Sequence, residues 1–228
     1  MVTATEGERL RWKIDLLFPD YVGAIRKLVT HPQISDLYPE YLFTLHCIMR
    51  AGVPLMEAAL AQARATAEHD PVSAALASYF EKHIPEERGH DEWLLQDMEF
   101  LGQDRSAVLA RPPSPTVAGL IGAQYYWVFH YHPVALMGFL APLEGHPPTT
   151  ELIEDLIART GHSPQAFRTL LLHAELDPEH GDEINRLLDD LSLTPEQSSV
   201  LGLSAMHTVH MLARATDEAV EEFGQSRV

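Results

Sequence analysis

Apolar residues recur along almost the whole chain at intervals of three and four, the spacing that lines one face of an α-helix. Leu10, Ile14, Leu17, Tyr21 and Ile25 predict a first helix over about residues 5–30. Leu42, Leu45, Met49, Val53, Met56 and Leu60 predict a second over about 38–67, kinked at Pro54. Asp70-Pro71 joins a capping side chain to a proline at the first helical position. It opens a third helix that is bent at Pro85 and ends near Leu101-Gly102. The loop Arg111-Pro112-Pro113-Ser114-Pro115 precedes a long apolar helix over about 116–144, with Pro133 and Pro142 as its weak points. Shorter helices are expected at about 149–160 and 164–177. Asp177-Pro178 reads as a further cap that starts a helix to about 191, and Thr194-Pro195-Glu196 opens the last, to about 223. There is no repeat, inter-domain linker or Asn-Gly or Asp-Gly hairpin turn. The expectation is an all-α chain, one domain over residues 1–228, with about seven helices in a bundle.

A length of 228 residues suits one well-buried core. The formal charge of −17 argues against nucleic acid or an anionic membrane as partner. Cys47 is the only cysteine, so an internal disulfide, a thiolate zinc site and an iron–sulfur cluster within one chain are all excluded. Residues 1–10 lack the apolar stretch of a signal peptide, and no run of about 18 apolar residues occurs. A cytoplasmic protein without a membrane span is expected.

The 13 histidines change the picture, because many fall inside apolar helical patterns. In the third helix Glu87 and His90 are three apart and share a face with His83. A Glu-x-x-His pair is how helical bundles offer a carboxylate and an imidazole to an inward metal, and Glu86 or His83 is the alternative to Glu87. A solvated acidic face explains the same pattern. Further on, His173, Asp177 and His180 fall at i, i+4 and i+7 behind an apolar run. If the helix persists they point one way, as ligands suited to iron, manganese or zinc. If Asp177 is only an N-cap, His180 is a surface residue. Pro178 should break or bend the helix there, leaving a ligand free to swing in and out.

Glu144 ends the long apolar helix, the unfavourable end for a negative charge, which calls for an electrostatic partner. Glu57 stands alone in an apolar stretch and is either exposed or held by a partner such as a metal. Glu57, Glu87, Glu144 and Asp177 would together balance two divalent ions, with His90, His173 and His180 as neutral donors.

Glu87-x-x-His90-Asp-Glu-Trp, followed by His173-x-x-x-Asp177-x-x-His180, resembles the haem-oxygenase-like di-iron oxidases and oxygenases, a group of iron-containing redox enzymes related to TenA and PqqC. Val53-Pro54-Leu55-Met56-Glu57 and Leu143-Glu144-Gly145-His146-Pro147-Pro148 extend the likeness over about residues 40–210. The resemblance implies a seven-helix haem-oxygenase-like fold, two Fe(II) ions and activation of the co-substrate O2 through a peroxo-di-iron species. It implies the ligands Glu57, Glu87, His90, His173, Asp177 and His180, with Glu144 as an extra carboxylate. It also implies N-oxygenation, desaturation or oxidative C–C cleavage of an amino acid, amine or fatty acid in specialised metabolism.

Around such a centre Arg50, seven residues before Glu57, would hold a substrate carboxylate, and Tyr126, Trp127, Phe129, His130 and His132 would line a pocket. Surface and core packing are the plainer roles. The partners expected are a small-molecule substrate, an external electron donor and, by default, a second copy in a homodimer. The competing readings are a TenA-like thiamine-salvage hydrolase with Cys47 as nucleophile, and a helical metal- or haem-binding protein without catalysis.

Overall fold

The structure, a computed structural model, describes residues 4–225. Helix α1 (Glu6–Val29) opens on a capping box: the Thr5 hydroxyl accepts the Glu8 N–H, and the Glu8 carboxylate accepts the Thr5 N–H. There follow α2 (Ile34–Met49), α3 (Gly52–Thr66), α4 (Pro71–Glu87), α5 (His90–Phe100), α6 (Arg105–Ala110) and α7 (Pro115–His130). A 3₁₀ turn (Pro133–Leu136) leads into α8 (Met137–Glu144) and then α9 (Thr150–Thr160). A second 3₁₀ turn (Pro164–Phe167) leads into α10 (Arg168–Asp190), and α11 (Pro195–Gln225) closes the chain. Among the described residues there is no strand, and no helix is long and apolar enough to cross a membrane.

The all-helical expectation holds, but the count of seven does not, because three expected long helices are each divided. The second breaks at Arg50-Ala51 and not at Pro54. Pro54 occupies the first turn of α3, where its missing N–H has no helical partner to lose. The third breaks at Arg88-Gly89, where Gly89 adopts a φ of 89°, a left-handed conformation that glycine alone takes without strain. The fourth breaks before Pro133, while Pro142 stays inside α8. The opposite error occurs at Pro178: the expected break is absent, and α10 runs through it for 23 residues.

Buried apolar side chains form one cluster, with Tyr38, Phe80, Phe139 and Phe167 among the largest fully enclosed. Helix α1 lies along α11 and α3 along α4, while α10 packs on α8, α5 and α1. The ends of α4 and α8, the start of α5 and the middle of α10 therefore meet.

Candidate metal centre

Glu87 is the last residue of α4 and His90 the first of α5, so the pair straddles a helix break instead of sharing one helix face. The turn at Gly89 still folds them together, with His90 Nδ1 3.1 Å from Glu87 Oε2. The unbroken α10 keeps His173, Asp177 and His180 on one side. Gly181 lets that side approach closely, since a Cβ there would lie 3.1 Å from the Glu144 carbonyl oxygen. His180 Nδ1 thereby comes within 3.5 Å of Glu87 Oε1 and 3.9 Å of Glu144 Oε2.

Glu144, buried at the end of α8, has the partner its position demanded: Oε1 lies 3.2 Å from His83 Nε2. His83 Nδ1 faces Glu86 at 3.4 Å. His83 and Glu87 are thus both present, where the sequence offered them as alternatives. The donors fall into two neighbouring groups, His83 with Glu86 and His180, and Glu87 with His90 and His173. Within each, one ligand atom per residue lies within 4.8 Å of the others. The His180–Glu87 contact joins the groups.

Several of these atoms are buried without a hydrogen-bond partner: Nδ1 of His83, His90 and His180, and Oε2 of Glu144. Apart from the His83 Nε2–Glu144 Oε1 hydrogen bond, the acid–imidazole contacts are close but not aligned as hydrogen bonds, so the remaining atoms converge on shared space. Leaving such groups unsatisfied costs about 1–3 kcal/mol each, and a cation between them would remove that cost. His173 is already set for ligation. Its Nδ1–H donates to the Thr169 carbonyl at 2.9 Å, which directs Nε2 away from the backbone, and burial lowers its pKa and keeps it neutral.

The acids respond to crowding in the same sense. Burial, then the charges of Glu144 and Glu87, pushes Asp177 up to about 8. Burial also raises Glu144, against the pull of His83. For Glu87, burial is outweighed by His90 first and then His83 and His173, and its pKa falls. On His83 burial lowers the pKa, but Glu144, Glu87 and Glu86 together raise it. The donor set of carboxylates and imidazoles fits iron chemically.

Four expected site residues lie elsewhere. Glu57 is not inward: Leu55, Met56 and Ala59 take the buried side of α3, and Glu57 faces out, 49% exposed and 2.8 Å from Arg88. Arg50 is exposed after the end of α2. Tyr126 and His130 lie against each other with their rings tilted by 42° on the outer side of α7, and both are exposed. Of the other aromatics expected around the pocket, Phe129 is exposed too, and His132 holds the start of α4 through Asp70 at 2.7 Å.

The pocket at the cluster is built by other residues. A cavity of about 580 Å³ has Glu87, Glu144, His173 and Asp177 in its wall. Its remaining surface comes largely from α1, α2, α8 and α9, including Ile25, Ile48, Phe139 and Leu156, with Met56 of α3. Sequence spacing named the α1 stripe as core and could not show that Tyr21 and Ile25 border a space. Cys47 does not border it, and burial pushes the Cys47 thiol up to about 11.

The profile of a family described as iron-containing redox enzymes matches residues 50–213, which include all four helices carrying the donors. A domain of unknown function with a haem-oxygenase-like fold from Shewanella denitrificans superposes with a TM-score of 0.81 at 19% identity, over 96% of this chain and 94% of that one. A TenA homologue from Pseudomonas syringae pv. tomato superposes with a TM-score of 0.64 at 13% identity, over 91% and 92%. These likenesses show a shared haem-oxygenase-like fold. No curated protein sequence matches.

Proposed function

The chain belongs to the iron-containing redox enzyme family, and we propose that it is a non-haem di-iron oxidase or oxygenase that uses O2 to oxidise a small organic substrate. The observation that carries this reading is the pair of adjoining donor groups, with orphaned buried nitrogens and a buried carboxylate oxygen between them.

Glu87, His90 and His173 would hold one ion, and His180, Glu144 and His83 the other, with Glu86 at the rim and Asp177 facing both Glu87 and Glu144. Glu86, Glu87, Glu144 and Asp177 would balance two divalent charges, so the place first given to Glu57 passes to Glu86. Two irons held there would reduce O2 and supply the oxidising equivalents.

The chain's own residues account for the rest. The Thr169 carbonyl fixes the ring of His173. The His83–Glu144 pair, 3.2 Å apart and buried, can hold or pass one proton beside the centre. The largely apolar wall of the cavity lowers the polarity around the reacting groups. An external donor belongs to this reading wherever the substrate does not itself supply all the electrons that O2 takes up, and a homodimer is the proposed assembly.

A cavity shared with the donors favours catalysis over metal storage. Cys47 lines a separate pocket away from the donors, and burial pushes its thiol up to about 11, which speaks against a readily ionised nucleophile and so against a cysteine-dependent hydrolase. The test is O2 uptake by protein reconstituted with Fe(II). Uptake that Cys47→Ser preserves and His173→Ala abolishes is expected. Uptake indifferent to His173→Ala would overturn the proposal.

A further inference from the structure

We propose that the outer side of α7 is a self-association surface, on which a second copy of the chain packs antiparallel about a two-fold axis at Gly122. This assigns the homodimer a surface and does not depend on the metal.

Helix α7 buries one side and leaves the other bare. Val117, Leu120, Gln124 and Val128 face the core, and Gln124 bonds Ser204 and Thr208 of α11. On the outer side Pro115, Ala118, Gly119 and Gly122 occupy the first half and Tyr126, Phe129 and His130 the second, all of them exposed. At helical spacing these residues fall within about a third of the circumference. The water-facing side of a helix is ordinarily polar or charged. Here no Asp, Glu, Lys or Arg occurs from residue 112 to 143, although 21% of the chain is charged. Tyr126 is 56% exposed, Phe129 51% and Tyr131, just past the helix, 67%. The rings adjoin: Tyr126 lies 4.6 Å from His130 and 6.1 Å from Tyr131. Contiguous exposed apolar surface of this kind marks an interaction site.

Charge and shape both point to a second copy as the occupant. With a net charge of −17, two copies repel wherever charged surfaces meet, and this side of α7 lets them meet without charge. In shape it is small in its first half and bulky in its second, so it is complementary to itself when reversed. An axis at Gly122 sets Ala118 opposite the partner's Tyr126 and Pro115 opposite the partner's Phe129, and two-fold symmetry repeats each contact. At the axis a Cβ on Gly122 would meet nothing within 4 Å, so the two backbones can close to about 8 Å, the near end of helix-packing distances. A parallel copy would instead set ring against ring and leave the small halves apart. Tyr126, Phe129 and Tyr131 offer about 400 Å² per copy. The rest of this side brings the area to the lower end of specific interfaces, about 600 Å² per partner.

Sedimentation velocity of the metal-free full chain over a micromolar concentration range tests the assembly. A species of twice 25.5 kDa is expected. Gly122→Glu brings like charges together at the axis and should leave a monomer with an unchanged far-ultraviolet circular dichroism spectrum. Tyr126→Ala should weaken the dimer about a hundredfold, because symmetry removes the ring from both sides. Cysteine cross-linking reads the register, and it does so whether or not Gly122→Glu folds; Cys47 is buried and does not compete. Gly122→Cys should link to itself on air oxidation. Ala118→Cys should link to Tyr126→Cys but not to itself, since two Ala118 positions would stand about 12 Å apart along the helices, beyond the reach of a disulfide. A monomer at every concentration would overturn both this assignment and the homodimer, and a monomer that binds neutral phosphatidylcholine vesicles would give this side of α7 to lipid. A dimer that survives Gly122→Glu would keep the homodimer and place its interface elsewhere. Self-linking of Ala118→Cys would refute the antiparallel register.

Discussion

Asp97 of α5 accepts the backbone N–H of Thr169 through Oδ2 at 2.9 Å, and so holds the first turn of α10. The same Thr169 offers its carbonyl to His173. One buried acid therefore ties the helix that begins with His90 to the helix that carries three further donors. Asp97→Ala should lower stability by about 1–2 kcal/mol, as loss of a helix cap does, and increase hydrogen exchange over residues 169–180. Asp97→Asn, which keeps an acceptor, should restore much of the protection. Thermal melting and exchange mass spectrometry check both, and unchanged protection in Asp97→Ala would contradict the role.

The protonation of Asp177 sets a pH dependence. Its pKa rises from 3.8 to about 8 on folding without metal, so the folded chain keeps a proton that the unfolded chain releases. That contribution to stability is complete below about pH 4 and is lost as pH rises toward 8. The metal-free protein should melt at progressively lower temperature across this window, and Asp177→Asn should flatten the trend. Iron displaces the same proton, so its apparent affinity should rise with pH up to about 8. Melting curves and iron titrations at pH 5–9 measure both slopes, and a pH-independent iron affinity would be incompatible with Asp177 in the site.

Glu57 and Glu144 make opposite predictions. Glu57 pairs with Arg88 at the surface, and such pairs contribute little, about 0–1 kcal/mol. Glu57→Ala should leave iron uptake unchanged. Glu144→Ala removes the carboxylate facing both His83 and His180 and should lower iron uptake. Metal analysis of the two variants separates them, and loss of iron in Glu57→Ala would restore the sequence-based ligand set.

Helical spacing and the Asp70-Pro71 and Thr194-Pro195 starts made the all-helical fold legible. Residue types at i, i+4 and i+7 made His173, Asp177 and His180 legible as a group. Break points were not, because a proline in a first turn costs nothing, as at Pro54, and because tertiary packing carries α10 through Pro178. The outward turn of Glu57 depends on which side of α3 meets its neighbours, and an apolar stretch with one acid does not state that. His83 reads as one of several histidines until α8 places Glu144 beside it. The cavity is invisible to spacing, since a residue facing a void and one facing a neighbour follow the same period.

The most direct test is anaerobic titration of the metal-free protein with Fe(II), followed by Mössbauer spectroscopy after exposure to O2. About two irons per chain, magnetically coupled once oxidised and reduced to one or none in His173→Ala, is the predicted result. A single iron, or two uncoupled irons unaffected by His173→Ala, would contradict a di-iron centre built by α4, α5, α8 and α10.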